Sequence, residues 1–265
     1  MAVRSYAVHD TEPVSADAPG REIIRLLDHD PLLAASLPGV LRGKLSEVLL
    51  ASALRVRAGQ SFAPPRQPAG AVGLVLLEGL VLRGLAVGGR PHAIALGPGD
   101  ILEWWHEGDE PALVEPTFEI VGDALIAVLG RRYVQAADRW PQLHAAMAGR
   151  LSRHADEVSA LAAVMVQPRV EMRVLGLLWH LARRWGHVEA DGVAVTLSVT
   201  HEALGRLVGA RRPSVTLALT DLVSAGAVSR RQDRTWVLAP ESWKLLELPR
   251  NPMDAASIRA EFSDA

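Results

Sequence analysis

The spacing of apolar and polar residues divides the chain into two parts. Between about Ser52 and Leu129, apolar residues form short runs separated by glycine, as in "VGLVLLEGLVLRGLAVGGRPHAIALGPGDIL". Short apolar runs bounded by turn residues are typical of strands in a sandwich or barrel. Upstream, "REIIRLLDHDPLLAASL" predicts short helical turns that are interrupted at Pro31. From Arg131 onward the apolar period becomes helical, so the pattern predicts an α+β fold with the strands first.

Downstream of the strands, apolar residues alternate at spacings of four and three along one predicted helix. A helix from Gln142 to Val166 would have 25 residues and a length of about 37 Å at roughly 1.5 Å per residue. One small domain cannot cover such a helix, and pairing with a second copy is the simplest way to bury its stripe. The predicted dimer interface consists of Trp140, His144, Met147, Leu151, His154, Val158, Leu161 and Met165. Protonation of the two histidines would bias the dimer near neutral pH, although a structural role at the rim is the simpler interpretation.

Two short amphipathic segments in "THEALGRLVGARRPSVTLALTDL" are joined through a glycine and two arginines. Thr200 is placed to cap the first helix, and Gly209 is placed to end it. Pro213 fits the first turn of the second helix, because its missing N–H would have no partner there. The residues that would pack this helix on the first are Val215, Leu219, Leu222 and Val223. The arrangement predicts a helix-turn-helix, whose second helix enters the major groove of DNA by its N-terminal end.

Arginines are concentrated in and after this motif. Arg211 and Arg212 stand at the start of the second helix, where a nearby phosphate would offset their unfavourable interaction with the helix dipole. The following "GAVSRRQDRTWVL" predicts a β-hairpin wing. The arginines of this wing are Arg230, Arg231 and Arg234. Across residues 196–240, six arginines stand against three acidic residues, a net charge of +3 in a chain whose formal net charge is -2. Such local charge predicts contact with nucleic-acid phosphate.

The composition narrows the possible classes of protein. The 265 residues are 49% hydrophobic and include no cysteine, which excludes disulfides, thiolate zinc sites and cysteine-held iron–sulfur clusters. The N-terminal segment has no signal-peptide run, and no apolar stretch reaches the ~18 residues of a membrane span. We therefore expect a cytoplasmic protein without a membrane partner. Since the chain has no P-loop, GxSxG, HExxH or dinucleotide motif and no zinc-site spacing of histidines, we expect no enzymatic activity, cofactor or metal.

The segment "VTLSVTHEALGRLVGARRPSVTLALTDLVSAGAVSRRQDRTWVLAP" resembles, nearly end to end, the winged helix-turn-helix of the cyclic-AMP receptor protein and Fnr (Crp/Fnr) family of bacterial transcription regulators. The glycine-separated strands, the long helix and a hinge at Pro168 follow in the family's order. The resemblance implies a β-roll of the cyclic-nucleotide-binding (jelly-roll) type and a homodimer that binds a pseudo-palindromic DNA site, with RNA polymerase as a further partner. The implied domains are a flexible leader at 1–20, the β-roll at 21–135, the dimerisation helix at 136–167, the winged helix-turn-helix at 168–248 and a tail at 249–265.

The resemblance also implies which residues contact DNA, at or near the start of the recognition helix. The predicted DNA-binding residues are Thr200, Arg211, Arg212, Ser214 and Thr216, together with the three wing arginines. Family members commonly have an acidic residue and a second arginine on this helix, at positions where this chain has Pro213 and Leu217. We therefore expect the DNA site to differ from the usual family site.

The predicted effector pocket departs further from the family. Members that bind a cyclic nucleotide have Gly-Glu followed, about ten residues later, by an Arg-Ser pair whose arginine pairs with the cyclic phosphate. In "GDILEWWHEGDEPALVEP", Glu103 is kept, but Pro111 and Ala112 stand in place of the arginine and serine. No lysine or arginine lies between residues 91 and 131. Because a cyclic phosphate would be left unpaired there, we expect no control by cyclic AMP.

Glu103, Trp104 and Trp105 form the predicted effector pocket. The two indoles would either stack on a planar effector or fill the empty site themselves. Two alternatives to a regulator without cyclic-AMP control therefore stay open. One is a sensor that is gated by another small molecule or nucleotide, and the other is a partner-binding scaffold that has lost its affinity for DNA.

Overall fold

The computed structural model describes residues 21–64, 67–87, 90–104 and 116–246. The predicted leader and tail, the centre of the turn at 88–89 and the residues Trp105, Pro111 and Ala112 lie outside the described residues. The chain divides into two compact units. One holds the described residues up to Leu85 and Ile94–Leu151, and the other holds Ala86–Ala93 and the described residues from Ser152. None of the described helices is long and apolar enough to cross a membrane.

Seven strands of the described chain form one sheet in the N-terminal part. They are β1 (Arg21–Arg25), β2 (Leu50–Val56), β3 (Ser61–Phe62), β4 (Gly73–Val87), β5 (Arg90–Leu96), β6 (Ile101–Trp104) and β7 (Thr117–Leu129). The strand order is β1-β2-β7-β4-β5, with β3 paired to β7 and β6 paired to β4. The pairs β1–β2, β2–β7, β7–β4, β3–β7 and β4–β6 are antiparallel. The sheet confirms the strands predicted from the glycine-separated runs.

Adjacent residues of the central strand β4 pack into two different cores. Val75 and Leu77 belong to one buried cluster, whereas Leu74 and Leu76 belong to the other. Side chains of a strand alternate between the two faces of its sheet, so both faces of β4 are covered. This arrangement explains the continuous apolar runs, because a strand that is covered on both faces needs no polar side.

Short helices precede the sheet, and a long helix follows it. The helices are α1 (Leu26–His29), α2 (Pro31–Ala35), α3 (Gly39–Val48), α4 (Arg131–Arg139) and α5 (Pro141–Met165). The helix predicted at 142–166 therefore lies one residue earlier at each end. The boundary predicted at residue 136 falls inside α4, which ends at Arg139 because the residue before Pro141 is disfavoured in a helical conformation.

A buried ion pair connects α5 with the start of α2. Arg150 donates to both carboxylate oxygens of Asp30 at 2.8 Å, and only 7% and 2% of the two side chains are exposed. Asp30 also accepts from the backbone N–H of Leu33 at 2.9 Å and so caps α2. The phenol of Tyr133 is buried, and this burial raises its pKa to about 12, against the opposing effect of the Arg150 charge. The side chains of Asp30, Arg150 and Tyr133 thus place polar groups inside an apolar core.

The C-terminal part contains three helices and a small sheet. Its elements are α6 (Val170–Trp185), β8 (His187–Glu189), β9 (Gly192–Thr196), α7 (His201–Val208), α8 (Arg212–Ser224), β10 (Val228–Arg230), β11 (Thr235–Leu238) and a 3-10 helix (Ser242–Leu246). The strand order is β10-β11-β9-β8, and the pairing is antiparallel. Helices α6, α7 and α8 pack on one another. The predicted α+β fold, with sheet, long helix and winged helix-turn-helix in this order, is confirmed.

Candidate nucleic-acid interface

Local sequence signals fix the geometry of the helix-turn-helix. The hydroxyl of Thr200 accepts from the backbone N–H of Ala203 at 3.1 Å and caps α7. Gly209 then ends α7 in the left-handed region at φ 61°, where glycine is not strained. Arg211 is the N-cap residue of α8, and Pro213 lies in the first turn of that helix. The predicted helix cap at Thr200 is therefore formed, and the hydroxyl of Thr200 is used in a hydrogen bond within the protein.

The start of α8 presents polar side chains on the outside of the unit. Its buried side packs through Val215, Leu219 and Leu222, as the sequence predicts. Val223, which was predicted on the same face, is exposed, because it lies one residue past the buried position 222. The exposed side of α8 and its N-cap includes Arg211, Arg212, Ser214 and Thr216. Leu217 lies on that side as well, with 63% of its surface exposed.

A histidine that sequence reasoning did not select lies among these residues. Nδ1 of His201 is 3.0 Å from Oγ1 of Thr216, whose hydroxyl donates to the carbonyl of Arg212 at 3.0 Å. Since a hydroxyl has a single hydrogen to donate, Nδ1 is the donor to Thr216, and Nε2 is the unprotonated nitrogen of the neutral ring. Partial burial, together with the charges of Arg230 and Arg212, lowers the pKa of His201. The neutral form of His201 is therefore favoured in the free protein.

The arginines of the wing, β10 and β11 with their connecting turn, have three different environments. The Arg230 guanidinium lies over the indole of Trp236, 5.0 Å from the ring centroid. Arg234 is in the turn at φ 70°, an uncommon conformation for a residue other than glycine. Its side chain is exposed. Arg230 and Arg234 are thus both exposed, as a contact with phosphate would require.

Arg231 is held by carboxylates of the β8–β9 hairpin. Its Nη2 lies 2.5 Å from Oε2 of Glu189 and 2.9 Å from Oδ2 of Asp191. The hydrogen bonds from Arg231 are the main cause that lowers the pKa of each carboxylate, and they raise the pKa of the guanidinium in turn. In the free protein the guanidinium of Arg231 is thus engaged by two carboxylates, and its predicted contact with phosphate stays a prediction. In the free protein, the role of these ion pairs is to stabilise the small sheet.

Comparison with known proteins agrees with this geometry. Residues 172–244, from α6 to the 3-10 helix, match the sequence profile of the Crp-like helix-turn-helix domain. The C-terminal part is thus similar to Crp-like helix-turn-helix domains. The resemblance to Crp/Fnr regulators that was predicted from the sequence is thus confirmed. A search of curated proteins finds no match to this chain.

Solved structures of Crp/Fnr-type proteins share the fold. FixK2 from Bradyrhizobium japonicum is 20% identical, with a TM-score of 0.55, over 77% of this chain and 99% of that one. A CooA mutant from Carboxydothermus hydrogenoformans is 18% identical, with a TM-score of 0.59, over 91% and 97% of the two chains. The regulator CLP of Xanthomonas campestris, described as responsive to c-di-GMP, is 20% identical, with a TM-score of 0.52, over 71% and 94%. At these identities the likeness shows the fold alone.

Half of the dimer stripe predicted on the long helix α5 is corrected by the structure. Trp140 lies outside α5, at the C-terminus of α4, and packs against the apolar core with Met147. Leu161 is buried within the chain as well, and His154 is half-buried. The apolar residues 147 and 161 therefore face the protein's own interior. They are not available to a second copy.

The exposed apolar face of α5 is displaced by one residue from the predicted stripe. His144, Leu151 and Val158 are exposed as predicted, and Met165 is half-buried. Between them the exposed positions are the small residues Ala148, Ala155 and Ala162, which take the places assigned to Met147, His154 and Leu161. The corrected stripe keeps the alternating spacing of four and three that suits a helix pair.

Two of the three predicted effector-pocket residues are described, and both lie on β6. Trp104 pairs in register with Gly73 of β4, and Glu103 pairs with Leu74. The Trp104 indole lies so close to Gly73 that a Cβ added there would be 2.9 Å from the ring. Trp104 also packs against one apolar core. The structure thus favours the interpretation in which this indole fills space in the β-roll.

Proposed function

We propose that this protein is a homodimeric, sequence-specific DNA-binding transcription regulator of the Crp/Fnr type that acts without cyclic AMP. The observation that carries the proposal is the exposed group Arg211, Arg212, Ser214 and Thr216 at the start of α8, within a Crp-like helix-turn-helix domain. Such a helix enters the major groove by its N-terminal end, where arginine and hydroxyl side chains bind base edges and phosphates. Arg230 and Arg234 of the wing would add phosphate contacts.

The exposed stripe of α5 supports the homodimer. Leu151 and Val158 alternate with small alanines along a 25-residue helix, and they are 36% and 44% exposed. A second copy of the same helix would bury this stripe, and the small residues would allow close approach. In such a dimer, the two α8 helices would bind successive major grooves about 34 Å apart on a pseudo-palindromic site.

Leu217 supports a DNA site that differs from the usual family site. Its side chain is exposed on the same side of α8 as Ser214, where a leucine has no packing role in the free domain. An apolar side chain in the major groove contacts the methyl group of thymine. The proposed site therefore contains a thymine at the position that faces residue 217.

The test is selection of genomic DNA fragments by the purified full-length protein, followed by affinity measurements with and without cyclic AMP. Arg212→Ala should weaken binding to the selected site by roughly tenfold or more, and it should reduce the salt dependence if the contact is to phosphate. Arg132→Ala, an exposed arginine of α4, is the matched control and should leave the affinity unchanged. A requirement for cyclic AMP would contradict the proposal. Absence of selective binding would favour the partner-binding scaffold instead.

A cavity favours effector gating as the second candidate function. Its volume is about 520 Å³, within the size of small-molecule sites, and it lies in the C-terminal part. Trp179 and Trp243 line it together with the small residues Ala160 and Gly176, and Arg183 is at its wall. A planar apolar effector would raise the melting temperature of the protein. Loss of that shift in Trp243→Leu would locate the effector in this cavity, and an unchanged shift would exclude the cavity as its site.

A further inference from the structure

His201 lies beside the proposed DNA-reading end of α8. It is the first residue of α7 and reaches Thr216 across the helix-turn-helix, with 3.0 Å between Nδ1 and Oγ1. The charged groups that face it from the packed elements are Arg212 of α8 and Arg230 of β10, and both are permanent cations. On its own helix, its charged neighbours in sequence are Glu202 and Arg206.

The free protein and the DNA-bound protein favour opposite protonation states of this imidazole. In the free protein partial burial and two guanidinium groups oppose a positive charge on the ring, so its pKa is lowered and the neutral form, with Nε2 as an acceptor, is favoured. A phosphate beside the same group would attract a proton to the ring, because an anion favours the charged form. Protonation at Nε2 would add a second N–H donor while Nδ1 keeps its bond to Thr216.

We propose that His201 is a proton-dependent phosphate contact of the DNA-binding surface, and that DNA binding promotes the uptake of a proton by His201. The inference rests on the proposed DNA-binding function and adds a regulatory property to it. By linkage, proton uptake on binding makes the affinity for DNA rise as the pH falls. Acidification of the cell interior would thus increase occupancy of the DNA site without any small-molecule effector.

The test measures the affinity of the full-length protein for its selected duplex between pH 5.5 and 8 at constant ionic strength. We expect affinity to increase as the pH falls, by roughly tenfold for each histidine if DNA raises the titration midpoint by about one pH unit. His201→Gln keeps a polar partner for Thr216 but cannot titrate, so its affinity should not change with pH. His201→Arg should bind at pH 8 as tightly as the wild type binds at pH 5.5. His187→Gln is the control, because His187 is an exposed histidine of β8 that pairs with Glu189 at 2.6 Å, and it should keep the wild-type pH dependence.

The outcomes separate this inference from the proposed function. Selective binding that does not change with pH, or an equal pH dependence in His201→Gln, would overturn the inference and leave the DNA-binding function in place. Absence of selective binding at every pH would overturn both. A direct measurement is the titration of the His201 ring by NMR, free and bound to DNA. An unchanged midpoint on DNA binding would overturn the proton uptake, even if the affinity varies with pH for another reason.

Discussion

The buried pair Asp30–Arg150 leads to a quantitative prediction about stability. Arg150→Met would leave the Asp30 carboxylate in the core with the Leu33 N–H as its one remaining hydrogen-bond partner among the described residues. Removing one partner of a buried ion pair costs about 3–5 kcal/mol, because the other charge stays buried without compensation. The double variant Asp30→Asn/Arg150→Met has no charge left to compensate, so we expect its cost to be only about 0–2 kcal/mol. The second substitution should therefore partly rescue the first.

The assay must follow the N-terminal part separately, since a chain of two units need not unfold in one step. Native-state hydrogen exchange, monitored on peptides from β2 and β7, gives the local free energy of opening of the sheet. Arg153→Met, an exposed arginine on the same helix, is the control and should change this value by less than about 0.5 kcal/mol. The reasoning is refuted if Arg150→Met costs less than about 1 kcal/mol, or if the double variant is no more stable than Arg150→Met alone.

Three further predictions use glycine, tyrosine and arginine positions. Gly205→Ala should lower the melting temperature, because a Cβ at this position would lie 2.6 Å from a backbone oxygen. Gly43→Ala should instead stabilise α3 by about 0.5–1 kcal/mol, because a Cβ there would have nothing within 4 Å. Equal effects of the two substitutions in thermal denaturation would contradict the clash at Gly205. Tyr133→Phe should be neutral or stabilising by about 1 kcal/mol in urea unfolding, since the buried hydroxyl has no hydrogen-bond partner among the described residues. In an ultraviolet titration, the phenol should ionise only near its raised pKa of about 12, and ionisation near pH 10 would refute its burial. Arg231→Gln should raise the depressed pKa of Glu189 toward its usual value, as measured by carboxyl NMR. The pKa of Glu189 is lower in the folded than in the unfolded protein, so its pairing with Arg231 stabilises the fold above about pH 4, and this stabilisation is lost as the pH falls through the folded pKa. The difference in stability between the wild type and Arg231→Gln should therefore shrink in acid.

The helix-turn-helix was predictable because its signals are local. The cap at Thr200, the left-handed Gly209 and the early Pro213 each act within a few residues of their own position. The strands were predictable for a similar reason, since glycine-bounded apolar runs specify short extended segments. Trp105 and the tail, by contrast, lie outside the described residues, so their predicted roles stay predictions.

Local signals of this kind could not predict which positions of α5 form its exposed stripe. An apolar pattern gives the residues that avoid water, but it does not say whether the same chain or another copy covers them. Met147 and Leu161 are large and dominate the pattern, yet they are buried in their own chain. The alanines that take their places, such as Ala148, contribute little to a hydrophobic pattern because they are small.

The pairs that join distant segments were also beyond sequence reasoning. Arg231 and Glu189 are 42 residues apart, and Asp30 and Arg150 are 120 residues apart. No local period or motif connects such positions, because their contact depends on how helices and strands pack. His201 was missed for the same reason, since its contact with Thr216 crosses the turn of the motif.

The ion pairs of Arg231 with Glu189 and Asp191 restrict which substitutions relatives of this protein can accept. Because Arg231 is the cation shared by Glu189 and Asp191, its loss would leave two neighbouring carboxylates of the β8–β9 hairpin without their counter-ion. In descendants of this chain, positions 189, 191 and 231 should therefore be substituted together, whatever DNA sequence is recognised. Positions 212 and 214 carry no such ion pair among the described residues, so under the proposed function they should instead change with the DNA site. Substitutions would then accumulate at the start of α8, while the residues that join the wing to the β8–β9 hairpin stay the same.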